Sequence, residues 1–163
     1  MIQLQDLLAG DWLAVARSKT GVDGKSSLKN WWTLINDQNY ESPASLALYG
    51  GLKADRMAFA FASGYQAALR RQFPGLGRQV GAFCVTEPQG AHPRQIQSEL
   101  INESGQWRLR GQKSFVSMAD LAEQVFVLAK RGESQGRPDL AMVQLAVSST
   151  ELSLSKSLAY VPE

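Results

Sequence analysis

Cysteine and histidine are almost missing from this sequence: Cys84 and His92 are each the only residue of their kind. A single cysteine excludes an internal disulfide framework and is compatible with a reducing compartment. No metal site is expected. An excess of one charge sign is also missing. Lys and Arg number 17 against 15 Asp and Glu, a formal net charge of +2. The nearest thing to a basic block is Arg70-Arg71 with Arg78, so nucleic-acid binding through a basic patch is not expected. No stretch approaches the roughly 18 consecutive apolar residues of a membrane span. The start, MIQLQDLLAGDWLAVARSK, has no basic leader and no long apolar core, so no signal peptide is expected. These absences predict a cytoplasmic, soluble protein with no membrane partner.

What is present is ordinary for a globular chain. Apolar residues make up 44% and charged residues 20% of 163 residues, enough for one domain or two small ones. The pattern changes near Pro74. Before it the spacing is helical. Leu4, Leu7, Leu8 and Leu13, with Trp12, predict a short amphipathic helix, and Leu28, Trp31, Trp32 and Ile35 another. Arg17 to Ser27 reads as a loop. Ser42-Pro43 reads as an N-cap with proline at the first helical position, and that helix is expected to falter at Gly50-Gly51. From Leu52 to Phe73 runs the strongest helical candidate, apolar nearly all round in its middle. Arg70 and Arg71 suit its C-terminal end.

After Pro74 the period shifts toward two. Strands are expected over Arg78–Thr86, Ile96–Ile101, Trp107–Arg110, Val125–Ala129 and Leu140–Val147, with Ser114–Ser117 continuing the sheet. Asn102 to Gly105 reads as a turn and Arg131 to Asp139 as a polar loop. The short links predict antiparallel pairing. The expected class is α+β: a helical part over 1–75, then an antiparallel β-barrel or sandwich over 76–163.

Three segments of the β half occur in a recognisable order. They are Phe83-Cys84-Val85-Thr86-Glu87-Pro88 with Gly90 shortly after; Gly105-Gln106-Trp107-Arg108-Leu109-Arg110-Gly111-Gln112-Lys113-Ser114-Phe115-Val116-Ser117; and Ala122-Glu123-Gln124-Val125-Phe126-Val127-Leu128-Ala129-Lys130. Together they resemble the middle β domain of the acyl-CoA dehydrogenase family, over about Gly81 to Lys130. The helix before Gly75 is compatible with that family's N-terminal helical domain.

The resemblance implies an FAD-dependent oxidoreductase of fatty-acid metabolism, acting on the CH–CH group of an acyl-CoA. In such a protein the cofactor carries the hydride chemistry and the protein supplies position and electrostatics. It implies FAD-binding positions at Phe83, Cys84, Val85 and Thr86 on one side, and at Phe115, Val116 and Ser117 on the other. Thr86 and Ser117 would offer hydroxyls, Phe83 and Phe115 apolar faces. On the residues alone, a threonine suits any strand end and Phe115 suits any core.

The sequence also departs from the family. Where the family has Gly-Ser at the end of the loop, this chain has Ala91, His92 and Pro93. No pyrophosphate or substrate role is carried over to them, and His92 reads either as a phosphate contact or as a solvated loop residue. The family's carboxylate base comes from a C-terminal helical domain, and no residue here matches it. Glu87 reads as structural. The expectation is a partial chain, inactive alone, that self-associates or meets a partner chain covering its sheet. Trp12, Trp31 and Trp32 are candidates either for that contact or for the core. The alternative is a non-catalytic binding or assembly module derived from the family; the third reading is an unrelated β protein that shares Thr-Glu-Pro by chance.

Overall fold

The structure, a computed structural model, describes residues 1–10, 27–149 and 153. The readings made for Trp12, Leu13 and 17–26 lie outside these residues. The chain forms two compact units, Met1–Arg78 and Gln79–Glu163, as the expected α+β order of helices and then sheet requires.

The first unit holds four described helices: α1 (Leu4–Ala9), α2 (Leu28–Asn36), α3 (Pro43–Lys53) and α4 (Met57–Gln72). The N-cap reading of Ser42 holds: its Oγ accepts from the Ser45 amide at 3.2 Å, with Pro43 at the first helical position. Helix α3 continues through Gly50-Gly51 to Lys53, and the glycine at position 50 admits Ser63 of α4. A Cβ there would lie 2.0 Å from Ser63 Oγ. The long helix expected from Leu52 starts instead at Met57, after a break at Ala54. Trp31 and Trp32 are buried with Ile35, Leu46, Phe59 and Leu69. Trp31 stacks on Phe59 with ring centroids 4.8 Å apart. Both tryptophans are therefore core residues of this unit.

The second unit is one five-stranded sheet: β1 (Gly81–Cys84), β2 (Glu99–Glu103), β3 (Gln106–Arg110), β4 (Gln124–Ser134) and β5 (Arg137–Ala146). Strand β4 is its axis. β5 pairs antiparallel along the whole of one edge of β4, so the other edge is left to β1 and β2. Both are parallel to β4, β1 against 124–127 and β2 through Glu99–Lys130. The sheet is thus mixed and not closed, which corrects the antiparallel expectation. The connection from β1 to β4 spans 85–123 and contains the whole β2–β3 hairpin. Such a long crossover permits parallel pairing where a short link forbids it.

Two further expectations change. The segment 131–139 is not a loop but the tip of the β4–β5 hairpin, turned by Gln135-Gly136, both at positive φ (53° and 72°). That is the backbone a two-residue primed turn needs. Ser104-Gly105 turns the β2–β3 hairpin in the same way, with Asn102 Oδ1 accepting from the Gly105 amide at 2.9 Å. Ser114–Ser117 forms no strand. Its backbone leaves extended geometry at Phe115 (φ 54°) and again at Met118 (φ 58°).

Candidate functional site

The site is built around the corner at Glu87-Pro88. After β1 the chain closes a tight turn in which Glu87 and Gly90 exchange backbone hydrogen bonds, each 2.9 Å. This turn sends the Glu87 side chain inward, where the residue is 2% exposed. Its Oε2 accepts from the Gln97 amide at 2.6 Å. Its Oε1 accepts from the Ser98 amide at 3.0 Å, Ser98 Oγ at 2.6 Å and Lys113 Nζ at 2.7 Å. Burial alone would raise the pKa of this carboxyl. The Lys113 and Ser98 side-chain bonds, followed by the Gln97 and Ser98 amides, outweigh burial and bring it to about 2. A carboxylate so weakly basic, with both oxygens occupied, is a structural anchor. It is not a proton acceptor.

Lys113 completes the arrangement. Its ammonium also donates to the Leu128 carbonyl at 2.6 Å and the Val85 carbonyl at 3.3 Å. Leu128 lies between the β4 residues paired by β1 and the one paired by β2. The ammonium therefore fills a gap in the ladder, satisfying a carbonyl that neither strand reaches. Three donors meet three acceptors, which is the full capacity of a lysine. Gly111 makes this placement possible. At φ 155° a Cβ would fall 2.1 Å from Ser98 Oγ and 2.7 Å from its Cα. Only glycine lets the chain pass Ser98 closely enough to return Lys113 to Glu87. The Gly-x-Lys spacing of the sequence thus has a local physical cause.

The seven cofactor positions expected from the sequence fall into two groups. The Ser114 amide donates to the Thr86 carbonyl at 2.8 Å. This bond ties the end of the β1 extension to the stretch containing Phe115, Val116 and Ser117, so the two motif halves are neighbours. Thr86, Val85 and Ser117 are half-buried, and Phe115 is 75% exposed. Cys84 and Val116, by contrast, pack together in a core cluster with Ala82, Val125 and Val127. Burial pushes the Cys84 thiol up to about 11, with Lys113 only partly opposing it. Phe83, alternating with Cys84, is 39% exposed.

His92 stands on an exposed loop, and its Nδ1 accepts from the Arg94 amide at 3.2 Å. It caps the turn Pro93–Gln95. The sequence carries Lys113 within the Gly-x-Lys motif and Ser98 within an expected strand, but the bonding of both to Glu87 was missed, because no local spacing encodes partners that distant segments bring together. Among the described residues no group of three His, Cys, Asp or Glu side chains could hold a metal. No helix among them is long and apolar enough to cross a membrane.

Residues 82–158 match the family model described as acyl-CoA dehydrogenase, middle domain. Over those residues the β unit is similar to the middle domain of the acyl-CoA dehydrogenases. No curated protein matches the chain. A solved structure, KijD3 in complex with FMN and dTDP-3-amino-2,3,6-trideoxy-4-keto-3-methyl-D-glucose, is 18% identical with a TM-score of 0.33. The match covers 88% of this chain and 36% of that one, so the chain spans about a third of that protein's length. A likeness this slight carries no inference about either ligand.

Proposed function

We propose that the β unit forms one wall of a flavin site, in a protein whose reaction class is the FAD-dependent oxidation of an acyl-CoA across a CH–CH bond. The match of residues 82–158 to the acyl-CoA dehydrogenase middle-domain model supports the reading. The observation that carries it is the Ser114–Thr86 hydrogen bond, which sets an exposed aromatic ring and two side-chain hydroxyls on adjoining segments. Phe115 is a large apolar ring held largely in water on left-handed backbone. That is a costly arrangement for a residue without a partner to cover it.

In this reading a bound flavin would supply the hydride-accepting chemistry. The Phe115 ring would offer it an apolar contact, and the Thr86 and Ser117 hydroxyls would offer it hydrogen bonds. Cys84 and Val116 reach a ligand only through their backbone, because their side chains form the core behind the wall. Glu87 and Lys113 hold the corner and take no part in proton transfer. FAD, rather than another flavin, and an acyl-CoA substrate follow from the family. The expectation that the chain tested alone does not turn over rests instead on Glu87, the carboxylate of the motif, being held as a structural anchor. The same family match permits a second reading, a non-catalytic binding or assembly module.

The test is titration of the whole chain with FAD and with FMN, followed by flavin fluorescence. Weak saturable binding is expected, with FAD preferred. Phe115→Ala should weaken it by about three- to tenfold and leave the unfolding midpoint unchanged, because the ring is exposed. An assay with acyl-CoA and an artificial electron acceptor should show no turnover. Absence of saturable flavin binding would sink the flavin reading in favour of the assembly module; Phe115→Ala binding like the native chain would remove Phe115 from the site.

A further inference from the structure

The helical unit contains a depression of about 250 Å³ that two arginines line, Arg70 near the end of α4 and Arg78 beyond it. Neither is well matched by acid. Arg70 Nη2 donates to Asn36 Oδ1 at 2.5 Å and to the Arg78 carbonyl at 3.2 Å, both neutral acceptors. Its guanidinium lies over the Trp32 ring, 5.6 Å from the centroid. Its Nε is buried and has no acceptor among the described residues. Arg78 donates to Asn39 Oδ1 at 3.2 Å and to the Asn36 carbonyl. Its acidic neighbour Asp37 is 4.0 Å away, and the two side chains are 53% and 73% exposed, so water screens that pair.

We propose that this depression binds a phosphate-type dianion, held between the Arg70 and Arg78 guanidinium groups. Two cations lining one depression call for an anion with charge on more than one oxygen, which a phosphoryl group supplies. A half-buried guanidinium without a counter-charge is unfavourable until such a partner arrives. Burial, and next the nearness of Arg78, already lower the pKa of Arg70. Glu41 also lines the depression, but its Oε2 is turned to the Leu4 amide, 3.0 Å away. The asparagine and tyrosine groups beside it make hydrogen bonds within the unit: Tyr40 donates to the Ile35 carbonyl at 2.7 Å. The site lies in the helical unit and does not depend on the flavin reading.

The experiment is a thermal unfolding series of the whole chain in sodium phosphate against sodium chloride at matched ionic strength. Phosphate should raise the midpoint saturably and chloride should not. Arg78→Ala, at an exposed position, should raise the half-saturating phosphate concentration about tenfold or more. Arg70→Met should abolish the response. Circular dichroism establishes that each variant is folded, and if Arg70→Met is not, Arg78→Ala decides. Glycerol phosphate in a parallel series separates the sources. Tighter binding than orthophosphate assigns the site to an organic phosphomonoester, and weaker binding assigns it to the free ion. Equal responses to phosphate and chloride, or native half-saturation in Arg78→Ala, would overturn the proposal.

Discussion

Lys113 in the β unit and Arg70 in the helical unit are both cations drawn away from water, yet their surroundings are opposite. The Lys113 side chain is 9% exposed and finds a carboxylate at 2.7 Å together with two carbonyls. Arg70 finds an amide oxygen, a carbonyl and a ring, with no carboxylate. The difference shows how to read a buried charge. Where every donor is matched by acceptors from the same fold, the charge is part of the architecture. Where the matching charge is missing, the fold leaves a role for something added.

Removing the cation from the matched site should have the largest effect. Lys113→Met leaves the Glu87 carboxylate buried without its counter-charge and the Leu128 carbonyl without a donor. The expected loss is about 3–5 kcal/mol, read from urea unfolding. A loss under about 1 kcal/mol would mean that the ammonium is dispensable, and the contrast with Arg70 would collapse.

Acid sharpens the comparison from the other partner. The Glu87 pKa is depressed from its ordinary 4.5 to about 2. The folded state therefore binds this proton less readily than the unfolded state, and its contribution is complete above about pH 4.5. It falls away as the pH drops from 4.5 toward 2, by roughly 3 kcal/mol in all. Glu87→Gln should flatten this stretch of the stability profile, and an unchanged slope in that variant would assign the acid sensitivity to other carboxyls.

The smallest effect belongs to Arg70. Arg70→Met strands no buried acid and keeps an apolar stem against Trp32, so its stability should change by less than about 2 kcal/mol. A larger loss in urea unfolding would show that the neutral acceptors alone make Arg70 architectural, like Lys113.

Much of this contrast is invisible in the sequence, and the reasons are physical. Local signals were legible where the chemistry is local. Ser42-Pro43 starts a helix because a hydroxyl and a fixed φ act within one turn. Asn102 to Gly105 turns a hairpin because the Asn102 side chain bonds three residues on. The order of the three motif segments carried the family resemblance and the α+β class. Parallel pairing of β1 with β4 was not legible, since Gly81 meets Gln124 through a long crossover and no local pattern encodes the partner. The 131–139 hairpin tip read as a loop because polar residues dominate it; Glu133 and Ser134 are both exposed. Of the candidate site, the resemblance named Phe83 to Thr86 and Phe115 to Ser117 as positions serving one ligand, whereas the left-handed backbone of Phe115 was not legible. A phenylalanine seldom marks such a backbone.

The Lys113 ammonium also governs how the β unit can come apart. Its bonds join the backbone at Val85, the side chain of Glu87 and the backbone at Leu128. Through Glu87 they extend to Gln97 and Ser98, and Ser98 in turn accepts from the Lys130 amide at 2.7 Å. Peeling β1 or β2 from β4 exposes the same buried carboxylate and the same unmatched lysine. Neither strand therefore has an inexpensive opening of its own. The three strands this network joins are therefore expected to open together rather than one at a time.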